Sequence, residues 1–232
     1  MKVMILAAGR GERLRPLTDS LPKPLVSVAG KPLIEYHLEK LALIGVTEVV
    51  INQAWLGHKL PEMLGDGSRW GLQINYSEET TALETAGGIK QALPWLGDEP
   101  FLVINGDIFI DHLPDVTLAY QRIYQGEAQA YLWLVDNPEH HPQGDFAIDA
   151  QGKLTLSDEQ RLTFAGLGIY HPQLFSQLPE GKQALGPLLK QSIGQQQIQG
   201  EHFDAYWCDV GTLERLDKLQ RRLVDIETLL PL

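Results

Sequence analysis

The chain has 232 residues, with 30 acidic and 19 basic side chains and a formal net charge of −11. An acidic balance of this size disfavours binding to nucleic acids or to an anionic membrane surface, because both need a basic face. Cys208 is the single cysteine, so an internal disulfide and a cysteine-rich metal site are excluded and a reducing, cytoplasmic location is predicted. No apolar run approaches the roughly 20 residues of a membrane span.

Predicted strands and helices alternate over the first 135 residues. The strands are continuous apolar runs, and this pattern is typical of a parallel sheet covered by helices on both faces. Gly45 is expected to end the first long helix, and Pro94 to end a later one. In chain order the pattern predicts a strand at Lys2–Ala7, a helix at Leu33–Ile44, a strand at Val46–Asn52, a short helix at His58–Leu64, a strand at Leu72–Tyr76, a helix at Ala86–Leu93, a strand at Phe101–Ile104, a helix at Leu118–Tyr124 and a strand at Ala130–Val135.

The later elements are shorter and less regular. They are expected to elaborate the substrate side of the same α/β domain, since no linker, repeat or low-complexity segment divides the chain. Thr212 is expected to cap the terminal helix, and the five scattered tryptophans are expected to pack in the core. The predicted elements are a hairpin of Phe146–Ile148 and Leu154–Leu156, a strand at Leu162–Tyr170, a helix at Gly186–Ile193, a strand at Phe203–Cys208 and a helix at Thr212–Leu230.

A long segment rich in glycine and proline follows the first predicted strand. Gly9 and Gly11 allow a positive φ and close approach of a ligand to the backbone. Backbone N–H groups of such a loop can cradle phosphates, and Arg13 and Lys23 add positive charge. Leu14 replaces the third glycine of a dinucleotide-binding motif, and three prolines between residues 16 and 24 are expected to prevent a regular helix.

The order and spacing of this segment form a recognisable signature. The run G-x-G-x-R-L-x-P-L-T begins at Gly9 and is followed by Pro22-Lys23-Pro24-Leu25 and by Gly30-Lys31-Pro32-Leu33. This signature closely resembles that of the sugar-1-phosphate nucleotidyltransferases. The resemblance implies a Rossmann-like, doubly wound α/β fold of the nucleotide-diphospho-sugar transferase type, with a mixed, mainly parallel sheet and helices on both faces. It also implies a single domain over residues 1–232, with a nucleotide-binding half at 1–135 and a sugar-binding half at 136–232.

Two aspartates directly follow predicted apolar strands. Asp107 comes after Phe101–Ile104, and Asp209 follows Phe203–Cys208. Carboxylates at the carboxyl ends of strands suit Mg²⁺, which proteins commonly hold with one or two carboxylates together with substrate phosphates. Either aspartate alone is more often a turn or capping residue, but the N-terminal loop favours the metal. The resemblance supports this hypothesis, because the two metal-binding aspartates of the family match these positions.

The resemblance also assigns residues to the two substrates. Arg13 and Lys23 are expected to act on the triphosphate. Gly87 and Gly88 favour close approach of the backbone to a nucleobase, and a flexible helix entry is the alternative. The expected nucleotide-binding residues are Ala8, Gly9, Gly11, Glu12, Arg13, Lys23, Ser77, Glu78, Gly87, Gly88 and Asn105, and the expected sugar-binding residues are Glu84, Thr85, Asn105, Gly144 and Asp145.

The segment Asp136–Phe146 is the candidate sugar-recognition loop. Its adjacent His140 and His141 make a poor zinc site without a cysteine partner, so a polar loop is the preferred interpretation. Gly144 is expected to provide room for the sugar, and the two histidines can donate hydrogen bonds to a substrate carboxylate. The Glu-Lys-Pro segment carried by many hexose-1-phosphate members is absent, and Lys153 is the only lysine between residues 136 and 170. Mg²⁺ or an arginine is expected to take over the contact of that lysine with the sugar phosphate.

The resemblance predicts an Mg²⁺-dependent enzyme that transfers a uridylyl group from UTP to a sugar 1-phosphate. No nucleic-acid or membrane partner is expected, and the lack of a β-helix favours a monomer or dimer. Several stretches, including Ile51–Gly57, Gly65–Arg69 and Trp207–Leu216, resemble family members that use N-acetylmuramic acid 1-phosphate in peptidoglycan recycling. The alternatives are a guanylyltransferase for mannose or heptose 1-phosphate, a non-catalytic sugar-nucleotide sensor, and a nicotinamide-dependent oxidoreductase.

Overall fold

The computed structural model describes residues 1–229, and its architecture confirms the predicted α/β fold. The strands are β1 Val3–Leu6, β2 Ser27–Val28, β3 Lys31–Pro32, β4 Glu48–Gln53, β5 Gln73–Glu78, β6 Phe101–Asn105, β7 Ile108–Ile110, β8 Ala130–Val135, β9 Ala147–Ile148, β10 Leu154–Thr155, β11 Thr163–Tyr170, β12 Ile198–His202 and β13 Trp207–Asp209. The helices are α1 Leu17–Ser20, α2 Leu33–Leu43, α3 Lys59–Leu64, α4 Glu84–Leu96, α5 Thr117–Tyr124, α6 Gln173–Ser176, α7 Leu185–Gly194 and α8 Leu213–Leu229, with 3₁₀ turns at Glu12–Leu14, Lys23–Leu25 and Ser68–Trp70.

Seven strands form one mixed sheet in the order β12-β8-β11-β6-β1-β4-β5. The central strand β1 pairs in parallel with β4 and β6, and β5 extends the parallel part beyond β4. On the other side β11 runs antiparallel to both β6 and β8, whereas β12 is parallel to β8. Since β1, β4 and β6 run the same way, their carboxyl ends meet at one edge, where ligands bind in open α/β sheets.

Alternate residues of the central strands feed two apolar cores. Val3 and Ile5 pack with the apolar faces of α2, α3 and α5, while Met4 packs with α4, α6 and α7 on the opposite face. This arrangement explains the continuous apolar strands, since a strand covered on both faces has no solvent side. Within the described residues no helix combines the length and apolar character needed to cross a membrane.

A third, smaller core determines where the substrate-side elements sit. It joins Leu14 and Val26 of the N-terminal loop with Phe109 of β7, Val210 after β13 and Leu219 of α8. Strands β7 and β13 pair antiparallel beside this core. The cluster therefore holds the proline-rich loop, α8 and the β7–β13 ladder against one another.

Several predicted elements differ from the structure. Pro94 does not end its helix, because α4 continues to Leu96, whose buried side chain packs in the core although Pro94 has no N–H to donate. Strand β12 was not predicted, since its sequence Ile-Gln-Gly-Glu-His is mostly polar and it lies at the edge of the sheet. The predicted strand at Phe203–Cys208 is shortened to β13, and β7 was also missed. The predicted end of the last helix at Leu230 lies outside the described residues.

Candidate functional site

A cavity of about 280 Å³ opens at the carboxyl ends of β1, β4 and β6. Its lining includes seven residues that the sequence predicted for substrate or metal binding. They are Ala8, Gly9, Lys23, Glu84, Thr85, Asn105 and Asp107. The fold therefore brings together predicted residues from four separate segments of the chain.

The glycine-rich loop is shaped by contacts with the proline-rich turn that follows it. Gly11 has a φ of 66°, and a Cβ there would lie 3.0 Å from the Thr18 side chain and 3.1 Å from that of Lys23. The Thr18 hydroxyl donates to the Gly11 carbonyl at 2.8 Å. Of the two glycines, only Gly11 uses the positive φ that both allow. Gly9 instead leaves open space where a side chain would project.

Arg10 and Trp55 brace the outer side of this loop. The Arg10 guanidinium carbon lies 3.5 Å from the centre of the Trp55 ring, and both side chains donate to the Thr18 carbonyl. Trp55 is therefore not a core residue, as the sequence interpretation expected of the tryptophans. Trp133 does follow that expectation, since its side chain is fully buried.

Lys23 and Asp107 form a close ion pair in the first cavity. The Lys23 ammonium lies 2.6 Å from Oδ2 of Asp107, and the lysine side chain is only 10% exposed. Lys23 belongs to a 3₁₀ turn flanked by Pro22, so its backbone is restrained. This ion pair places the predicted phosphate-binding lysine directly beside one predicted metal ligand.

Asp209 is brought to Asp107 by the β7–β13 ladder. Asp209 is the register partner of Ile108, and the Val210 amide donates to the Asp107 carbonyl at 2.7 Å. Both carboxylates line a second cavity of about 330 Å³, to which Arg13 and Asn105 also contribute. Two residues far apart in sequence thus reach one place, as the metal hypothesis requires.

Two side chains, those of Arg215 and His140, contact Asp209. Nη1 of Arg215 lies 2.9 Å from Oδ1 and 2.9 Å from Oδ2 of Asp209. Nε2 of His140 lies 3.0 Å from Oδ1. His140 was predicted to lie in a polar sugar-recognition loop, and this contact places it beside a predicted metal ligand.

The donor set fits a divalent cation held together with substrate phosphates. Within residues 1–229 no group of three or more histidine, cysteine or acidic side chains is placed to hold a metal ion. Two carboxylates that share a cavity with Lys23 and Arg13 nearby are the arrangement expected of a Mg²⁺ site that the substrate completes.

The strand β7 beside Asp107 is supported by a buried histidine. His37 of α2 is 1% exposed, and its Nε2 lies 2.9 Å from the Ile108 carbonyl, so this nitrogen carries the proton and donates. Burial lowers the pKa of His37 to about 4, which keeps the ring neutral near pH 7. On the other strand of the ladder, burial raises the pKa of the Cys208 thiol, so this thiol stays protonated.

A buried polar network that the sequence interpretation missed lies behind the first cavity. The Asn52 side-chain oxygen accepts from the Ala7 amide at 2.7 Å, and its nitrogen donates to Oε1 of Glu79 at 2.7 Å. Oε2 of Glu79 accepts from the Leu83 amide at 2.9 Å. Asn52 and Glu79 are 3% and 5% exposed, so this network ties the ends of β1 and β4 to the start of α4. The signal that could have found Asn52 is its polar amide at the end of an apolar strand, which resembles the strand-end position that pointed to Asp107.

Gly87 and Gly88 are explained by packing within the protein. A Cβ on Gly88 would meet Oε1 of Glu79 at 2.6 Å, and one on Gly87 would collide with the Gly181 carbonyl. The lining of the first cavity includes neither glycine but does include Glu84, whose φ of 59° is strained for a residue with a side chain. The expected approach of Gly87 and Gly88 to a nucleobase therefore stays a prediction, while the structure provides another reason for both glycines.

Of the remaining predicted nucleotide residues, Glu12, Ser77 and Glu78 line neither cavity and differ in exposure. Ser77 is fully buried, with its hydroxyl 3.3 Å from the Gln91 amide nitrogen, whereas Glu78 is exposed at the end of β5. Glu12 is also exposed, in the 3₁₀ turn of the glycine loop. Arg13 is exposed and lines the second cavity with Asp209, so it stands on the substrate side of the loop.

In the loop Asp136–Phe146, Gly144 and Asp145, which were predicted to bind the sugar, contact other residues of the protein. A Cβ on Gly144 would lie 2.7 Å from the Asn137 side-chain oxygen and 2.9 Å from the Arg161 backbone, so the expected room for a sugar is filled by the protein itself. Asp145 accepts from the Phe164 amide at 2.8 Å and lies 3.1 Å from Nε2 of His141. The loop is thereby anchored to β11.

Trp207 is a further residue of the second cavity that the sequence interpretation assigned to the core. Its indole nitrogen donates to the Ala165 carbonyl at 2.8 Å, and it lines the cavity together with His140 and His141. Nearby, Gly166 has a φ of 73°, and a Cβ there would meet the Asn105 amide at 2.6 Å. The irregular part of β11 thus makes space for Asn105 between the two cavities.

Comparison with known sequences identifies one family. The model of the family described as nucleotidyl transferase matches residues 2–225. The chain is 50% identical over 226 residues to the N-acetylmuramate alpha-1-phosphate uridylyltransferase of Neisseria meningitidis, covering 95% of this chain and 97% of that protein. It is 33% identical to the protein of the same name from Caulobacter vibrioides, with 96% of each chain covered. A mannose-1-phosphate guanyltransferase of Gibberella zeae is 31% identical over 91% of this chain and 61% of its own.

Solved structures share the fold at low sequence identity. A Bacillus anthracis protein assigned as a glucose-1-phosphate thymidylyltransferase superposes with a TM-score of 0.83 at 20% identity, covering 97% of this chain and 96% of that one. HddC of Yersinia pseudotuberculosis, complexed with GMP-PN, superposes with a TM-score of 0.77 at 21% identity, covering 96% of this chain and 99% of its own.

Proposed function

The chain belongs to the nucleotidyl transferase family, and on that premise we propose that it transfers a uridylyl group from UTP to N-acetylmuramic acid 1-phosphate. A phosphate oxygen of the sugar attacks the α-phosphorus of UTP while the bond from that phosphorus to the oxygen bridging the β-phosphate breaks. The products are UDP-N-acetylmuramic acid and pyrophosphate. The observation that carries this reaction class is the meeting of Asp107 and Asp209 across the β7–β13 ladder, beside the buried Lys23.

The residues of the site act by positioning the reactants and offsetting their charge. The backbone from Ala8 to Gly11 and the Arg13 guanidinium bind the triphosphate. The Lys23 ammonium moves from Asp107 to the phosphate oxygens that gain charge in the transition state. No side chain needs to act as a general base, because a phosphate nucleophile is already ionised.

Asp107 and Asp209 would hold a divalent ion, for which we propose Mg²⁺. When bound, the ion neutralises negative charge on the two phosphates that must approach each other. Lys23 and His140 would then give up their contacts with a carboxylate, and Arg215 would share Asp209 with the ion.

The choice of uracil and of the muramic acid sugar rests on the two uridylyltransferases that share 50% and 33% of their residues with this chain. N-acetylmuramic acid carries a lactyl carboxylate, and a site that accepts it needs hydrogen-bond donors without unpaired acids. Two of the three acids in the loop are already engaged, since Asp145 pairs with His141 and Asp136 with His202, while Glu139 is exposed. The Nε2–H of His140, once released from Asp209, is the donor that we assign to the lactyl carboxylate.

We further propose a cytoplasmic enzyme of peptidoglycan recycling, acting as a monomer or a dimer. Its partners are then UTP and the sugar phosphate alone. The net charge of −11 supports the absence of a nucleic-acid or membrane partner, since both present extended negative surfaces.

The test is a panel of UTP, GTP and dTTP against the 1-phosphates of N-acetylmuramic acid, N-acetylglucosamine, glucose, mannose and heptose, read by pyrophosphate release. We expect the highest kcat/KM for UTP with the muramic acid derivative, and a poor reaction with glucose 1-phosphate. A higher value for mannose or heptose 1-phosphate with GTP would make the protein a guanylyltransferase. Tight sugar-nucleotide binding without pyrophosphate release from any pair would make it a sensor.

A further inference from the structure

Arg215 occupies an unusual position in the first turn of α8. Thr212 caps this turn, with its hydroxyl oxygen 3.3 Å from the Arg215 amide, and the arginine side chain is only 15% exposed. From there Nη1 reaches back to both oxygens of Asp209 at 2.9 Å. A guanidinium on one helix thus holds a carboxylate at the end of the preceding strand.

The other two nitrogens of this guanidinium make no hydrogen bonds. In the described part of the chain, Nε and Nη2 of Arg215 are buried and have no hydrogen-bond partner. Buried N–H groups without partners are destabilising, and an arginine that only supports packing normally satisfies its five donors. The contact with Asp209 is therefore the specific interaction for which this conformation is kept.

Gly211 is the residue that makes the conformation possible. A Cβ at this position would collide with Nη2 of Arg215 and would meet Nη2 of Arg13 at 3.1 Å. The backbone of Gly211 does not have a positive φ, so its conformation alone does not require glycine. The reason for glycine here is the space that the two guanidinium groups occupy.

We propose that Arg215 is a positioning residue that fixes the rotation of the Asp209 carboxylate, so that Asp107 and Asp209 face the same metal ion. This inference rests on the proposed function, because it assumes that the two aspartates bind the metal. Arg13, Lys218, Glu139 and Glu214 line the adjoining cavity of about 600 Å³, and His140 contacts Asp209 from the loop side. None of these side chains bonds both oxygens of Asp209 as Arg215 does.

Loss of Arg215 would have two opposite effects on metal affinity, one through charge and one through orientation of the carboxylate. Removing a cation beside a carboxylate would by itself strengthen the attraction of the carboxylate for a divalent ion. Loss of orientation weakens metal binding, and residues behind metal ligands typically change affinity or activity by about 10- to 100-fold. We expect the second effect to dominate in Arg215→Met.

The experiment measures Mn²⁺ binding by electron paramagnetic resonance in the presence of a non-hydrolysable UTP analogue, alongside the Mg²⁺ dependence of turnover and the melting temperature. Arg215→Met is expected to raise the Mn²⁺ Kd and the half-saturating Mg²⁺ concentration about tenfold or more. Gly211→Ala keeps every charge and displaces chiefly the Arg215 guanidinium, with a tight contact on that of Arg13, so it should reproduce the effect. Arg215→Lys should restore metal binding in part, since it keeps the charge without the planar geometry.

Arg221→Met is the matched control, because Arg221 lies on the same helix, is 77% exposed and pairs with Asp217. It should leave all three measurements at wild-type values. Unchanged or tighter Mn²⁺ binding in Arg215→Met would overturn the proposal, whether the melting temperature falls or not. If the wild-type protein binds Mn²⁺ and Arg215→Met weakens that binding, but no substrate pair reacts, then the proposed function fails and the role of Arg215 stands.

Discussion

The two carboxylates of the site have different surroundings. Asp107 stands on the nucleotide side, beside the buried Lys23 and above the buried His37, while the Asn52–Glu79 network fixes the neighbouring strand ends. On the sugar side, Arg215 holds Asp209 from α8, but the loop that faces Asp209 is more open: the side chain of His140 is 43% exposed, and the pair His141–Asp145 is half-exposed. Buried, satisfied polar networks rigidify a structure, whereas exposed ion pairs contribute little to it.

This difference suggests that the two sides of the site differ in rigidity. The nucleotide side is preorganised, so a change there should damage both catalysis and stability. The sugar side can rearrange around a substrate, so a change there should alter sugar affinity without affecting the fold. The following experiments test this contrast from the largest expected effect to the smallest.

Loss of either predicted metal ligand should affect the enzyme most. Asp107→Asn and Asp209→Asn are each expected to reduce kcat/KM by about 10³-fold or more, because the charge on the approaching phosphates is no longer offset. Chelation with EDTA should mimic both variants in pyrophosphate-release assays, and circular dichroism should show an intact fold. Full activity in Asp107→Asn would end the metal assignment.

Lys23→Ala is expected to have the second largest effect. It should lower kcat/KM about 10²-fold, mainly through kcat. The removed ammonium is buried, and no water-exposed cation can replace it at the same point. Steady-state kinetics with both substrates varied would separate kcat from KM. Lys31→Ala is the control, because Lys31 pairs with Glu39 away from the cavities. Equal effects of the two variants would mean that general positive charge matters and position does not.

The buried His37 makes stability on the nucleotide side depend on pH. Its pKa is about 4 when folded and near 6.5 when unfolded, so the unfolded chain binds the proton first as the pH falls. The contribution of the neutral ring to the free energy of unfolding is therefore fully present above about pH 6.5. It declines as the pH falls towards 4, by up to about 3 kcal/mol. Urea unfolding across this range should show a flatter pH dependence for His37→Gln. An identical slope in the variant would exclude His37 as the cause.

Glu79→Gln tests the network that the sequence interpretation missed. The glutamine nitrogen must face either the Asn52 amide or the Leu83 amide, and both are donors, so one buried group loses its partner. We expect a loss of about 1–3 kcal/mol in the free energy of unfolding and a higher KM for UTP. The KM for the sugar phosphate should stay within about twofold, since the network lies on the nucleotide side. A higher KM for the sugar phosphate alone would contradict the assigned sides.

His141→Ala is expected to have the smallest effect. The pair with Asp145 is half-exposed, and such pairs contribute little to stability, so the melting temperature should stay within about 1 °C. The KM for the sugar phosphate should rise less than about fivefold, with the KM for UTP unchanged. Substantial unfolding of this variant would show that the sugar side is as rigid as the nucleotide side.

Local patterns in the sequence determined the framework of the nucleotide side. Continuous apolar runs predicted β1, β4 and β6, because a strand buried on both faces cannot carry polar residues. The position of Asp107 directly after such a run predicted its place at the edge of the sheet. The glycine-rich motif likewise located Lys23 and Arg13, since its signature is contained in one contiguous segment.

Only the tertiary structure decided which distant side chains meet. Asp107 and Asp209 share a cavity because β7 pairs with β13 beside the small core around Phe109 and Leu219, and no periodicity in the sequence encodes that pairing. The same is true of Asn52 and Glu79, and of Gly144, whose space is filled by Asn137. Sequence patterns report what each residue does with its chain neighbours, whereas the contacts of a binding site join strand ends and loops far apart in the chain, and packing alone fixes their geometry.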